Sequence, residues 1–141
     1  MKKNLLIVGI LSTFFSACKT NSDMPSQKDI IGIWISSNNC IFTFEQGGKF
    51  SVKSFPAELV LLPKEEYKGL EFDGVGNWIL RKGNGGWEVF LDFEQVTDQK
   101  FKSAFPLLVR GEKGILENKP PWYLFVWKGE EGGDRYEFHK K

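Results

Sequence analysis

GVGNWILRKGNGGWEVFLDFEQV, residues 74 to 96, decides the fold. Two apolar-rich arms, residues 74–82 and 86–96, flank a Gly-Asn-Gly-Gly turn at 83–86. In the second arm Trp87, Val89, Leu91 and Phe93 fall on one side, and Glu88, Phe90, Asp92 and Glu94 on the other. A period of two gives a strand with one dry and one wet face, and the glycines supply backbone that a tight reversal needs. The stretch is therefore a β-hairpin.

The same punctuation extends in both directions. Upstream, IIGIWIS (30–36), CIFTFE (40–45) and FSVKSF (50–55) form a three-strand meander, with a tight turn at QGGK (46–49). Within residues 56–73, Ala57 to Leu62 fit a helical turn or a strand and Pro63 stops either; the stretch is read as a strand or an irregular edge crossing. Downstream, TDQKFKS (97–103) is a polar connection. Short strands follow at 104–110, 114–118, 122–128 and 135–140, separated by GEK, KPP and GEEGGD turns. No run of ten or more residues has a helical period. The 13 Phe and 5 Trp are too many for one open sheet to bury. Residues 30–141 are accordingly expected to be one all-β domain, a small antiparallel up-and-down barrel of about eight strands.

The N-terminus has a different grammar. Lys2 and Lys3 precede an apolar block from Leu5 to Phe15, and small residues Ser16 and Ala17 lead into Cys18. Residues 1–17 read as a secretory signal, too short for a mature membrane span. The order Phe15-Ser16-Ala17-Cys18 resembles the lipobox of bacterial lipoproteins. That resemblance implies lipid attachment at Cys18, labelling by palmitate, and a place in the cell envelope, in the outer membrane where the cell has one. Residues 18–29 then comprise the lipidated cysteine and a polar, flexible tether.

Charge narrows the partners. The chain holds 19 Lys and Arg against 18 Asp and Glu, and loss of Lys2 and Lys3 with the signal leaves 17 against 18. A balance so close to zero argues against nucleic acid and against a charge-driven membrane surface. With Cys18 acylated, Cys40 has no intrachain partner, and its alternation with Phe42 and Phe44 places it on a buried strand face as an inert thiol.

Neither catalytic residues nor a metal site is expected, and no cofactor. Glu88, Asp92 and Glu94 share a strand face, and paired carboxylates are what glycoside hydrolysis uses, yet an outward acidic row is the ordinary solvated side of a half-buried strand. His139, the single histidine, cannot build a zinc site alone. The glycines of GVGNW (74–78) suit a bulge or bend better than a phosphate loop, having no helix after them. The exception to the hydropathy pattern is WYLFVW (122–127), apolar on both faces. Either it is a central strand covered on both sides, or one row binds something. Trp122, Tyr123, Phe125 and Trp127 are the candidate contacts with a ligand or partner.

Gly32-Ile33-Trp34, followed by the FTFEQGGKF hairpin (42–50), resembles the Gly-x-Trp opening of lipocalin-like domains, and the chain is similar to small lipocalin-like lipoproteins of bacteria. The resemblance implies a calycin-type barrel in which Trp34 closes one end, with Gly32 beside it and an arginine of a late strand packed across the indole. Arg135 is the best-placed arginine, and Arg110 the second. TDQ (97–99) matches the family's Thr-Asp-Tyr in part. The function expected is a non-catalytic envelope lipoprotein that binds a small apolar ligand or a protein partner. The alternative is an inhibitor or immunity-type protein that blocks a hydrolase or toxin. A hollow interior favours the former and a filled interior with an exposed loop the latter.

Overall fold

The structure is a computed structural model that describes residues 24–60, 67–97, 99–129 and 133–141, with backbone only at 99–102. The expected signal at 1–17 and the anchor Cys18 lie outside the described residues. Eight strands run up and down in chain order and close into an antiparallel barrel. They are β1 (Gly32–Ser36), β2 (Ile41–Phe44), β3 (Lys49–Pro56), β4 (Glu71–Gly83), β5 (Gly86–Val96), β6 (Gln99–Lys113), β7 (Lys119–Lys128) and β8 (Asp134–Lys140). The barrel is sealed where β1 meets β8, with Trp34 opposite Lys140 and Ile35 opposite His139.

The hairpin of 74–96 is β4 and β5, paired from Gly83↔Gly86 outward. Gly86 has a φ of 110°, and a Cβ there would lie 2.8 Å from an Arg110 guanidinium nitrogen. Its absence lets Arg110 lie on the turn and donate to the Gly85 carbonyl at 2.6 Å. The register shifts between Val75 and Gly76, and a Cβ on Gly76 would meet the Asp92 carbonyl oxygen. The GVG glycines therefore belong to a bulge and a close strand approach.

Three local readings are corrected. The polar stretch 97–103 is not a connection throughout, because β6 begins at Gln99 and pairs with β5. Residues 114–118 are not a strand: they form the turn between β6 and β7, in which Glu117 N–H bonds the Gly114 carbonyl. Gly114 and Glu117 both take positive φ there, which breaks any extended run. The end of the expected tether is ordered too. Gln27–Ile30 makes one helical turn, α1, closed by a capping box between Ser26 and Asp29, and Ile30 is buried. Burying one isoleucine side chain is worth about 1.5–3 kcal/mol, enough to hold a short segment against the barrel.

The interior is filled by aromatic rings. Phe42 stacks on Phe44 at 5.5 Å and meets Phe55 and Phe138 edge-on at 5.4 and 5.1 Å. Phe50 meets Phe93 at 5.0 Å, Phe93 meets Phe72 at 5.9 Å, and Phe72 returns to Phe55 at 5.5 Å. Trp78 closes on Phe44 at 5.5 Å, and Phe105 lies 5.9 Å from Phe55. These rings come from six different strands, so their contacts run across the lumen from wall to wall. Cys40 belongs to the same buried cluster, and burial pushes its thiol up to about 12.

Candidate partner-binding face

Strand β7 is apolar on both sides because each side is covered, by different means. Leu124 and Val126 enter the core, and Trp122 packs against its rim. Tyr123, Phe125 and Trp127 point outward as a ladder, with ring centroids 5.8 and 5.2 Å apart. Phe125 is nonetheless fully buried on this outer wall. Its cover is charged: the Arg135 guanidinium lies 4.7 Å from its ring and that of Arg110 5.9 Å.

Arg135 joins this face together. It stands 4.9 Å over the Trp127 ring, donates to the Tyr123 hydroxyl at 2.6 Å, and pairs with Glu117 at 3.1 Å. The expectation that it packs across Trp34 is therefore corrected. The register of β8 puts Lys140 opposite Trp34 and Arg135 opposite Trp127. Five residues of strand separate the two, about 16 Å. The cation over the Trp34 ring is Lys140, with its Nζ at 5.7 Å and bonded to the Asp29 carbonyl. Trp34 itself is fully buried where the chain enters the barrel, and its indole N–H donates to the Ile30 carbonyl at 2.7 Å. Gly32 is beside it, with φ of 132° and the Lys140 side chain 3.0 Å from where a Cβ would be. Arg110, the second candidate, is also on the outer wall and away from Trp34.

The outer face extends beyond β7. Ile79 is opposite Phe90, Phe90 is opposite Pro106, and the β6–β7 register carries the row on to Trp127. Ile79 is 51% exposed and Trp127 42%, with Pro106 exposed and Phe90 half-buried between them, so this cross-strand row is apolar and open apart from Phe90. Arg81 stacks on Phe90 at 3.6 Å and pairs with Glu88 at 2.7 Å. Glu88 is consequently buried, and the expected acidic row is solvated only at Asp92 and Glu94. Beside Trp127 lies an open groove of about 440 Å³ lined by Glu117, Asp134, Arg135 and Glu137. Three carboxylates with one guanidinium give it an acidic character.

His139 lies on the surface within 3.3 Å of Glu112 and of Glu137, and stacks on Tyr123. Burial pushes the Tyr123 hydroxyl above its ordinary range, with the Arg135 charge acting against that shift. Among the described residues no group of three His, Cys, Asp or Glu side chains could hold a metal ion.

Of the four contact residues read from the sequence, Tyr123, Phe125 and Trp127 share this face, whereas Trp122 belongs to the inner side. Sequence reasoning missed Ile79, Phe90 and Pro106. The single clue was Phe90 among carboxylates on the wet side of β5. No family model matches the chain, and no curated protein or solved structure was found similar to it.

Proposed function

We propose that this chain is a non-catalytic, lipid-anchored protein of the bacterial cell envelope that recognises a protein partner through the outer face of β7 and the row Ile79–Phe90–Pro106–Trp127. The observation that carries the reading is the division of aromatics: one set fills the lumen, and another lies on the outer wall, where Trp127 is open to solvent and Tyr123 and Phe125 are covered beside it. A small apolar ligand would need the volume that Phe42, Phe55 and Phe93 occupy. A protein surface needs an open row with an aromatic anchor and an arginine, which Trp127 and Arg135 supply. The acidic groove beside Trp127 favours a partner with a basic side chain at that point. Kinship with lipocalin-like lipoproteins is part of the proposal, supported by the closed eight-strand barrel and the buried Trp34.

Cys18 is the proposed anchor, on the lipobox-like order of residues 15–18. Cys18→Ala should abolish palmitate labelling and leave the precursor uncleaved, and normal labelling of that variant would place the anchor elsewhere. Partner binding is tested with a photoreactive amino acid at Trp127 in intact cells. One discrete protein adduct is expected, lost on Arg135→Glu and absent when the probe replaces Lys53 on β3. Equal adducts from both positions, or none at Trp127, would defeat the reading. If the captured protein is a hydrolase or toxin that loses activity on binding, the narrower role of inhibitor or immunity protein follows.

A further inference from the structure

We infer that the end of the barrel where the N-terminal segment enters rests on an anionic lipid surface, with Ile115 and Leu116 inserted between the headgroups. The up-and-down topology gathers α1, the β2–β3, β4–β5 and β6–β7 turns and the C-terminus at that one end. Ile115 and Leu116 are 102% and 77% exposed, the two most exposed large apolar side chains among the described residues. They are held there. Gly111 N–H bonds the Glu117 carbonyl at 2.7 Å, and the Glu117 carboxylate is pinned by Arg135. Tyr123 is already opposite His139, near the end of β8, so the turn's backbone lies past the paired part of that strand while the Glu117 side chain reaches back along the outer wall to Arg135. Beside the tip, Leu116, Trp87 and Trp122 line a recess of about 220 Å³. Tryptophan near an apolar tip is a recurring feature of membrane–water boundaries.

Charge selects the occupant. Lys28, Lys82, Lys113, Lys119, Lys140 and Lys141 lie at this end. The described acids there are Asp29, Glu45, Glu88, Glu112 and Glu117, of which Glu88 pairs with Arg81, Glu112 contacts His139 and Glu117 pairs with Arg135. Among the described residues the opposite end has Glu58, Glu71, Asp73 and Asp134 against Lys53, Lys68, Lys128 and Arg135, and is balanced. The excess of basic side chains is thus at the end where the N-terminal segment enters, and a near-zero total does not report it. A basic rim around an apolar tip is the combination that binds anionic bilayers, at about 1 kcal/mol per lysine near the surface.

Position adds a second argument, which rests on the lipoprotein reading. Described chain begins at Met24, six residues after Cys18, and six extended residues span at most about 20 Å. An anchor at Cys18 would hold this basic end, and not the opposite one, close to the bilayer.

The test attaches an environment-sensitive fluorophore to Leu116→Cys in the signal-free chain carrying Cys18→Ser, with Ile79→Cys as the control position. Cys40 is buried and stays unlabelled. With vesicles of phosphatidylglycerol and phosphatidylcholine, the label at 116 should shift to the blue and be quenched by lipid-borne quenchers, while the label at 79 should not. Ile115→Ser with Leu116→Ser should weaken vesicle binding about tenfold, since two apolar side chains no longer enter the interface. Solvent-like emission at 116 with vesicles, in unlipidated and lipidated chains alike, overturns the inference. A blue shift without vesicles that grows with protein concentration also overturns it, assigning the tip to a second copy. Vesicle binding without palmitate labelling in cells would leave this inference standing and remove the anchor at Cys18.

Discussion

Removing the Trp34 indole leaves a cavity against Ile30 and Lys140 and strips the Ile30 carbonyl of its donor. Trp34→Ala should destabilise the fold by about 3–5 kcal/mol, read as a lower denaturant midpoint. In double-mutant cycles Trp34 should couple to Lys140 and not to Arg135, which should couple instead to Trp127. Coupling between Trp34 and Arg135 would restore the arrangement that the resemblance implied. Cys40 supplies a pH test. Its thiol is raised from 9.0 to about 12, first by burial and then by Glu71 and Asp73. The folded state thus favours the protonated form: its contribution is complete below about pH 9 and is lost as pH rises towards about 12. Tyr136 and Tyr123 are raised as well and add to the same alkaline fall. Cys40→Ala should make the loss of stability across that window shallower, and an unchanged slope would mean the thiol already ionises in the fold.

At the scale of elements, the β4–β5 bulge tolerates no side chain at Gly76, where a Cβ would strike the Asp92 backbone. Gly76→Ala should cost about 1–3 kcal/mol or more, measured by thermal melting, whereas alanine at open Gly47 should cost little of that steric kind. The hairpin itself was readable because the two-residue period and the glycine turn agree. Cys40, Phe42 and Phe44 were placed on the buried side by the same rule. The β6–β7 region was not readable: Gly-Ile-Leu alternates like a strand, and only the positive φ of Gly114 and Glu117 makes it a turn. Gln27–Asp29 reads as tether and Ile30 as the start of a strand because one helical turn is too short to show a period, and its order depends on Ile30 entering the core. The cross-strand row on the outer wall was invisible for another reason. Its members lie on four strands, and only the register brings them together.

At the scale of the whole molecule, the barrel walls carry two aromatic populations with different work. The inner rings hold the fold closed, while on the outer wall Arg135 covers Phe125 and leaves Trp127 open, the position proposed for partner contact. Trp127→Ala should therefore weaken partner binding with little change in melting temperature, the opposite of Trp34→Ala. Barrel topology was legible from the number and spacing of short strands. Whether the lumen was hollow was not, since ring-to-ring distances across a barrel depend on strand tilt and stagger that no local pattern encodes. The filled lumen is the central claim, and the indole N–H resonances of Trp34 and Trp78 report on it directly. In a titration with a medium-chain fatty acid, both signals should stay where they are. A saturable shift of both at one equivalent of fatty acid would show that the lumen opens to a ligand, and would contradict the account.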